Sequence, residues 1–255
     1  MAESRAIDVY AVSQGAGTGA LAAARAMPVF VLDVIVLATI VETAQRIVFG
    51  QAELSAWLMA SIELVMNVLV LAPLTFATYR FALLGEVGSS LTKAWAHPAF
   101  AAFLKGSLLV SALSLGLYFS GALLGAMLPQ PFATTVFLAA FAASVALSVR
   151  LALYFPALAT AAPGARLFRA FADSAGHGWK VFLVLAVCSA PFLFVGLALE
   201  GAAREVEPMR PVGLILAGLR SAVDVGWTLV LALAAAGLYR ILADKLLKAP
   251  VEPRS

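Results

Sequence analysis

Arg150–Leu185 reads RLALYFPALATAAPGARLFRAFADSAGHGWKVFLVL. An apolar run ends at Arg150 and breaks at Pro156. A short stretch of arginines and aromatics follows, and a new apolar run begins at Val181. Proline has no amide hydrogen and clashes with the preceding turn, so it ends or bends a helix. Basic and aromatic side chains gather where a membrane helix meets water. The stretch therefore reads as one membrane span ending, a segment in the headgroup layer, and the next span beginning.

The same grammar extends over the 255 residues. Of these, 63% are hydrophobic and 12% charged, which is too little charge to cover a soluble domain. A hydrocarbon core of ~30 Å needs about 20 apolar residues per helix. Backbone groups in lipid must bond within their own segment, so each apolar run is helical. Six spans are predicted, at about 28–49, 54–79, 106–128, 131–154, 181–199 and 214–239. The runs 106–128, 131–149 and 181–199 hold no charge, whereas the first, second and sixth spans cross only by carrying acidic residues. Residues 1–20, with Gly15, Gly17 and Gly19, read as a flexible tail too polar for a signal peptide. Residues 21–245 read as one six-helix transmembrane domain and 246–255 as a C-terminal tail. The single cysteine, Cys188, reads as a small apolar filler.

With the N-terminus inside, thirteen of the seventeen Lys and Arg residues fall on inner segments, which predicts both termini in the cytoplasm. The inner segments 89–103 and 165–179 read as helices lying in the headgroup layer. Lys93, Trp95, Arg166, Arg169, Trp179 and Lys180 would then face lipid, preferably anionic. Simple loops with snorkelling side chains are the alternative. Leu91–Leu109 and Leu167–Leu185 share an apolar–basic–Ala–aromatic opening, and Tyr79, Tyr154 and Tyr239 mark successive span ends. Three copies of an interfacial helix plus a hairpin account for this; so would the ordinary basic and aromatic anchors of any inner loop.

Charges inside spans are the sharpest functional signal in such a chain. Glu42 and Arg46 are four residues apart, as are Arg220 and Asp224, so each pair can share a helix face. Glu63 and Asn67 share another. If the first, second and sixth spans adjoin, Glu42, Glu63, Asn67, Arg220 and Asp224 would line a polar vestibule open to the outside. Spans shifted to 22–41, 64–83 and 224–243 would instead leave Glu42, Glu63 and Arg220 at the boundary. Arg150 near the inner face either snorkels or pairs with Asp33. Pro73, Pro156 and Pro191 can bend their helices, and Gly121-x-x-x-Gly125 permits close packing within one chain or between copies.

Tyr79-Arg80-Phe81-Ala82-Leu83-Leu84-Gly85-Glu86, and Arg150 with Leu153, Pro156, Ala157 and Ala170-Phe171, resemble a group of bacterial inner-membrane proteins. That group is distantly similar to the membrane domain fused to some glycerophosphodiester phosphodiesterases. The resemblance spans roughly the second to fifth spans and implies a fold and an inner-membrane location. It implies no phosphodiesterase activity, since the catalytic domain has no counterpart.

Enzyme signatures are absent: the chain has no HExxH, no cysteine pair and no nucleophile elbow. His97 and His177 lack a third ligand for a metal. The basic balance belongs to membrane orientation, not to nucleic acid. The expectation is an all-α, non-enzymatic membrane protein without cofactor, as a single chain or a homo-oligomer, that binds or organises lipids or partner proteins through its inner helices. A small transporter or channel using the outer carboxylates is the alternative.

Overall fold

The computed structural model describes residues 7–51 and 56–248. The predicted start of the second span at Leu54, and the basic residues Arg5 and Arg254, lie outside them. Ten helices follow in order: α1 (Val9–Ala26), α2 (Pro28–Gln51), α3 (Ala56–Leu84), α4 (Leu91–Ala96), α5 (Phe100–Ala126), α6 (Phe132–Leu151), α7 (Tyr154–Ala159), α8 (Leu167–Asp173), α9 (Gly178–Arg204) and α10 (Pro211–Leu242). No strand occurs among the described residues. Among the described residues six helical segments are long and apolar enough to cross a membrane: Pro28–Phe49, Leu58–Leu84, Phe100–Ala126, Phe132–Ala159, Gly178–Arg204 and Pro211–Leu242. The chain is thus an all-α, multi-pass membrane protein. A short or medium helix precedes each of the hairpins α2–α3, α5–α6 and α9–α10. The turns of the α5–α6 and α9–α10 hairpins occupy one end of the bundle, and α4, α7 and α8 occupy the other, the terminal end.

Helix α10 is the centre. It packs on α1, α2, α3, α7 and α9, and 56% of its apolar window is buried, against 17–22% for the other spans. Its buried face is built of Gly213, Ala217, Ser221, Val225, Leu229 and Ala232. Lipid tails are as apolar as leucine, so membrane helices associate through close packing, which small residues allow.

Three expectations need correction. Of the flexible tail expected over residues 1–20, residues 9–20 are helical, in a helix Val9–Ala26 capped by the Asp8 carboxylate on the Ala11 amide at 3.1 Å. Ala16, Ala20 and Ala23 form a buried stripe on it, and Leu233 approaches Gly19, and Val12 approaches Gly237, to within van der Waals contact of where a Cβ would stand, 3.4 Å and 3.5 Å. Helix α1 therefore lies against the terminal half of α10. The interfacial helices are also shorter than 89–103 and 165–179. α4 and α8 are single short elements, separated from α5 and α9 by non-helical residues at 97–99 and 174–177. Finally, the domain does not stop at 245: Leu246 is fully buried in the core.

Four arginines at the terminal end staple the helices together. Arg80 donates to the Ala159 carbonyl at 2.8 Å, Arg150 to Ser174 O at 2.9 Å, Arg169 to Lys245 O at 2.9 Å, and Arg240 to Ala82 O. The last carbonyls of a helix have no partner inside it; Arg80, Arg150 and Arg240 supply one at a helix end, and Arg169 supplies one to the turn beyond α10.

Gly121 and Gly125 face α6 within the same chain. A Cβ at Gly121 would stand 2.1 Å from the Ala140 Cβ, and one at Gly125 3.0 Å from the Ala133 carbonyl. Gly121→Ala is therefore expected to cost about 1–3 kcal/mol by overpacking. Gly116→Ala, with nothing within 4 Å of its Cβ, should be neutral or stabilising. Thermal denaturation in detergent checks the pair; equal midpoints would contradict the packing.

Candidate functional site

The hairpin-turn ends of α2, α3, α9 and α10 enclose a cavity of about 470 Å³. Glu42 and Arg46 lie one turn apart on α2 and pair at 2.9 Å. Arg46 also reaches Glu200 on α9 at 3.1 Å. Glu200 accepts from Arg204 at 3.2 Å and from Arg220 on α10. Arg220 stands 3.8 Å from Asp224, one turn along its own helix. The buried Ser221 hydroxyl donates to Glu42 at 3.3 Å and closes the circuit between α10 and α2. The packing of α2 and α3 on α10 thus brings the predicted Glu42, Glu63, Asn67, Arg220 and Asp224 to one cavity.

Glu200 is the acceptor that joins three arginines. A fifth span ending at Leu199 leaves it outside. Its signal is local: Glu200 and Arg204 are four apart, directly after an uncharged run. The lining carries four carboxylates (Glu42, Glu63, Glu200, Asp224) against three guanidiniums (Arg46, Arg204, Arg220). Glu63 makes no ion pair among the described residues. The Gln45 amide nitrogen, also on the lining, is buried without a hydrogen-bond partner. The walls therefore hold unmet capacity for a cation at Glu63 and for an acceptor at Gln45.

A second cavity of about 360 Å³ lies beside the first and shares Asn67 and Leu71 with it. It runs between α3, α5 and α10 to a floor of Tyr79, Phe103 and Phe155. Those rings meet edge to face, Tyr79 to Phe103 at 6.1 Å and Phe103 to Phe155 at 6.4 Å.

At the terminal end, the Asp33–Arg150 pair does not form. Asp33 is exposed on α2, and Arg150 is held by Ser174, whose hydroxyl in turn donates to Arg150 O at 3.2 Å. Arg169 is not free to face lipid either, because its guanidinium binds the carbonyls of Lys245 and Lys248. Lys93, Trp95, Arg166, Trp179 and Lys180 are exposed, beside Phe168. Trp179 stacks on Phe182 at 5.2 Å.

A small cavity below α3 holds Lys93 and His97 beside the Arg80–Glu86 pair, which closes at 2.7 Å. Burial lowers the His97 basicity, and the Arg80 charge lowers it further. Its Nδ1 accepts from the Ala99 amide at 3.1 Å.

Comparison with protein-family models, curated proteins and solved structures finds no match. The chemistry of the cavities alone carries the functional reading.

Proposed function

We propose that this is a non-enzymatic membrane protein whose mixed-charge cavity binds the head group of a zwitterionic ligand. The observation that carries this reading is the cavity wall itself. Among the described residues Glu63 has no cationic partner, Asp224 has only a long one, and Arg46, Arg204 and Arg220 converge on the single carboxylate of Glu200. An ammonium would complete Glu63 and Asp224. A phosphate would share the arginines, whose planar forks suit it. Ion passage has less support. Beyond Asn67 and Leu71 the route is apolar, and a bare charge there loses its hydration without a partner.

The test is a titration of the full chain in mild detergent with glycerophosphoethanolamine, followed by calorimetry. Saturable binding is expected, with a loss of about tenfold or more in Glu63→Gln. Glycerophosphoglycerol, which lacks the ammonium, should bind about tenfold more weakly. Equal affinity for the two ligands, or no binding, would refute the reading.

A second reading concerns the terminal end. Phe168 and Trp179 are 88% and 69% exposed, beside Arg166 and Lys180. Aromatic and basic side chains together suit an anionic headgroup layer, and with the basic bias they favour a cytoplasmic terminal end in a bacterial inner membrane. The distant relation to the phosphodiesterase-associated membrane domain belongs to this same proposal, as a relation of fold only.

A further inference from the structure

Resting on that head-group reading, we infer that the two cavities form one continuous site for a zwitterionic phospholipid, with its ammonium at Glu63 and Asp224 and an acyl chain in the second cavity. The cavities meet at Asn67 and Leu71 on α3. From Asn67 to Tyr79 the second cavity follows twelve residues of α3, or ~18 Å at the helical rise. That is roughly the hydrocarbon depth of one leaflet, half of ~30 Å. A detached solute needs no such extension; a lipid does.

The lining of the second cavity supports a chain over water. Several of its polar groups are hydroxyls that turn back to their own helices. Thr75 donates to Leu71 O at 2.9 Å, Thr228 to Asp224 O at 2.8 Å, and Ser148 to Ser144 O at 3.1 Å. With those donors spent, these side chains show hydrocarbon to the cavity. Val68, Leu71, Leu185 and Leu231 complete an apolar wall. The aromatic floor of Tyr79, Phe103 and Phe155 ends the cavity before the terminal face. The site is thus charged at one end, mostly apolar along its length and aromatic at the other, which matches one amphiphile.

The experiment uses the full chain in phosphatidylglycerol vesicles doped with a phosphatidylethanolamine whose acyl chain carries a diazirine. After photolysis, labelled residues are mapped by peptide mass spectrometry. Saturable labelling is expected at 68–75, 107–111 and 228–235. It should fall about tenfold in Ser111→Phe, which fills the cavity, while labelling of the exposed Phe141 and Phe194 stays unchanged. That exterior labelling also reports that the variant is folded and inserted. Wild-type labelling confined to exterior positions would overturn the inference, even where glycerophosphoethanolamine still binds and the head-group reading stands. Cavity labelling that persists undiminished in Glu63→Gln would overturn the joined site from the other side, because the chain would then bind without its head group.

Discussion

Glu200→Ala is expected to unfold the hairpin-turn end of the bundle first and to lower stability by about 2–3 kcal/mol. Glu200 accepts from Arg46, Arg204 and Arg220, and it ties α9 to both α2 and α10. The Arg46 and Arg220 side chains are 23% and 26% exposed, so their pairs are shielded but not dry. Breaking a fully buried pair costs about 3–5 kcal/mol because the remaining charge is stranded, and partial exposure reduces that figure. Arg46 would keep Glu42, and Arg220 would keep only Asp224 at 3.8 Å. The melting midpoint in detergent should fall by roughly 5–10 °C. Glu207→Ala is the control. Its pair with Arg210 is 64% and 72% exposed, so it should change stability by no more than about 0.5 kcal/mol. A Glu200→Ala midpoint no lower than that of the control would show that the arginine junction is not structural. Coupling between Glu200→Ala and Arg220→Ala in a double-mutant cycle would isolate the pair that closes the cavity.

At the opposite end, Asp173→Ala should release the C-terminal segment. The Asp173 carboxylate, 8% exposed, accepts from three successive amides: Asp244 at 3.1 Å, Lys245 at 3.0 Å and Leu246 at 3.0 Å. Gly164 adds a bond from its amide to Leu246 O at 3.0 Å, and a Cβ there would stand 2.4 Å from the Lys245 carbonyl. A hydrogen bond to a charged acceptor contributes about 1.5–3 kcal/mol net, and unmet buried amides add their desolvation cost. Losing all three is expected to weaken the latch by about 3–5 kcal/mol. Exchange of the 244–246 amides with deuterium should accelerate by roughly a hundredfold or more. Trypsin should gain access at Lys245 and Lys248. Asp173→Asn, which keeps one acceptor oxygen, should fall between wild type and alanine. Unchanged exchange at 244–246 in Asp173→Ala would remove the carboxylate from the latch.

The latch also shows why the charge of a segment does not reveal its role. Arg166, Arg169 and Lys180 look alike in a basic, aromatic stretch. Only Arg169 lies where the chain end returns, and there its guanidinium binds backbone carbonyls instead of facing outward. Depth alone permits Asp33 and Arg150 to pair, as the alternative to a snorkelling Arg150. Depth along a helix says nothing about azimuth, and Asp33 points away from the bundle.

The amino-acid sequence by itself determined the third, fourth and fifth spans, because uncharged runs of 19 residues or more have no other solvent than lipid, and it marked the first, second and sixth by their apolar excess despite the charges they carry. It also marked the charges within the spans, since each is costly in hydrocarbon and stands out for that reason. Helix α1 was readable too, through the Ala16–Ala20–Ala23 spacing, but its glycines suggested a flexible tail instead. Which spans adjoin was decided only by the tertiary structure. Helix–helix contacts in a membrane depend on close fit, and similar small-residue faces occur on several helices. The placing of α10 at the centre brings Glu42, Glu63 and Asp224 together, adds Glu200 as the common acceptor for Arg46, Arg204 and Arg220, and opens the apolar cavity beside them. Packing likewise turned Asp173 from one acidic residue in a basic segment into the acceptor for three amides, because a carboxylate's partners lie wherever the chain's end is folded back.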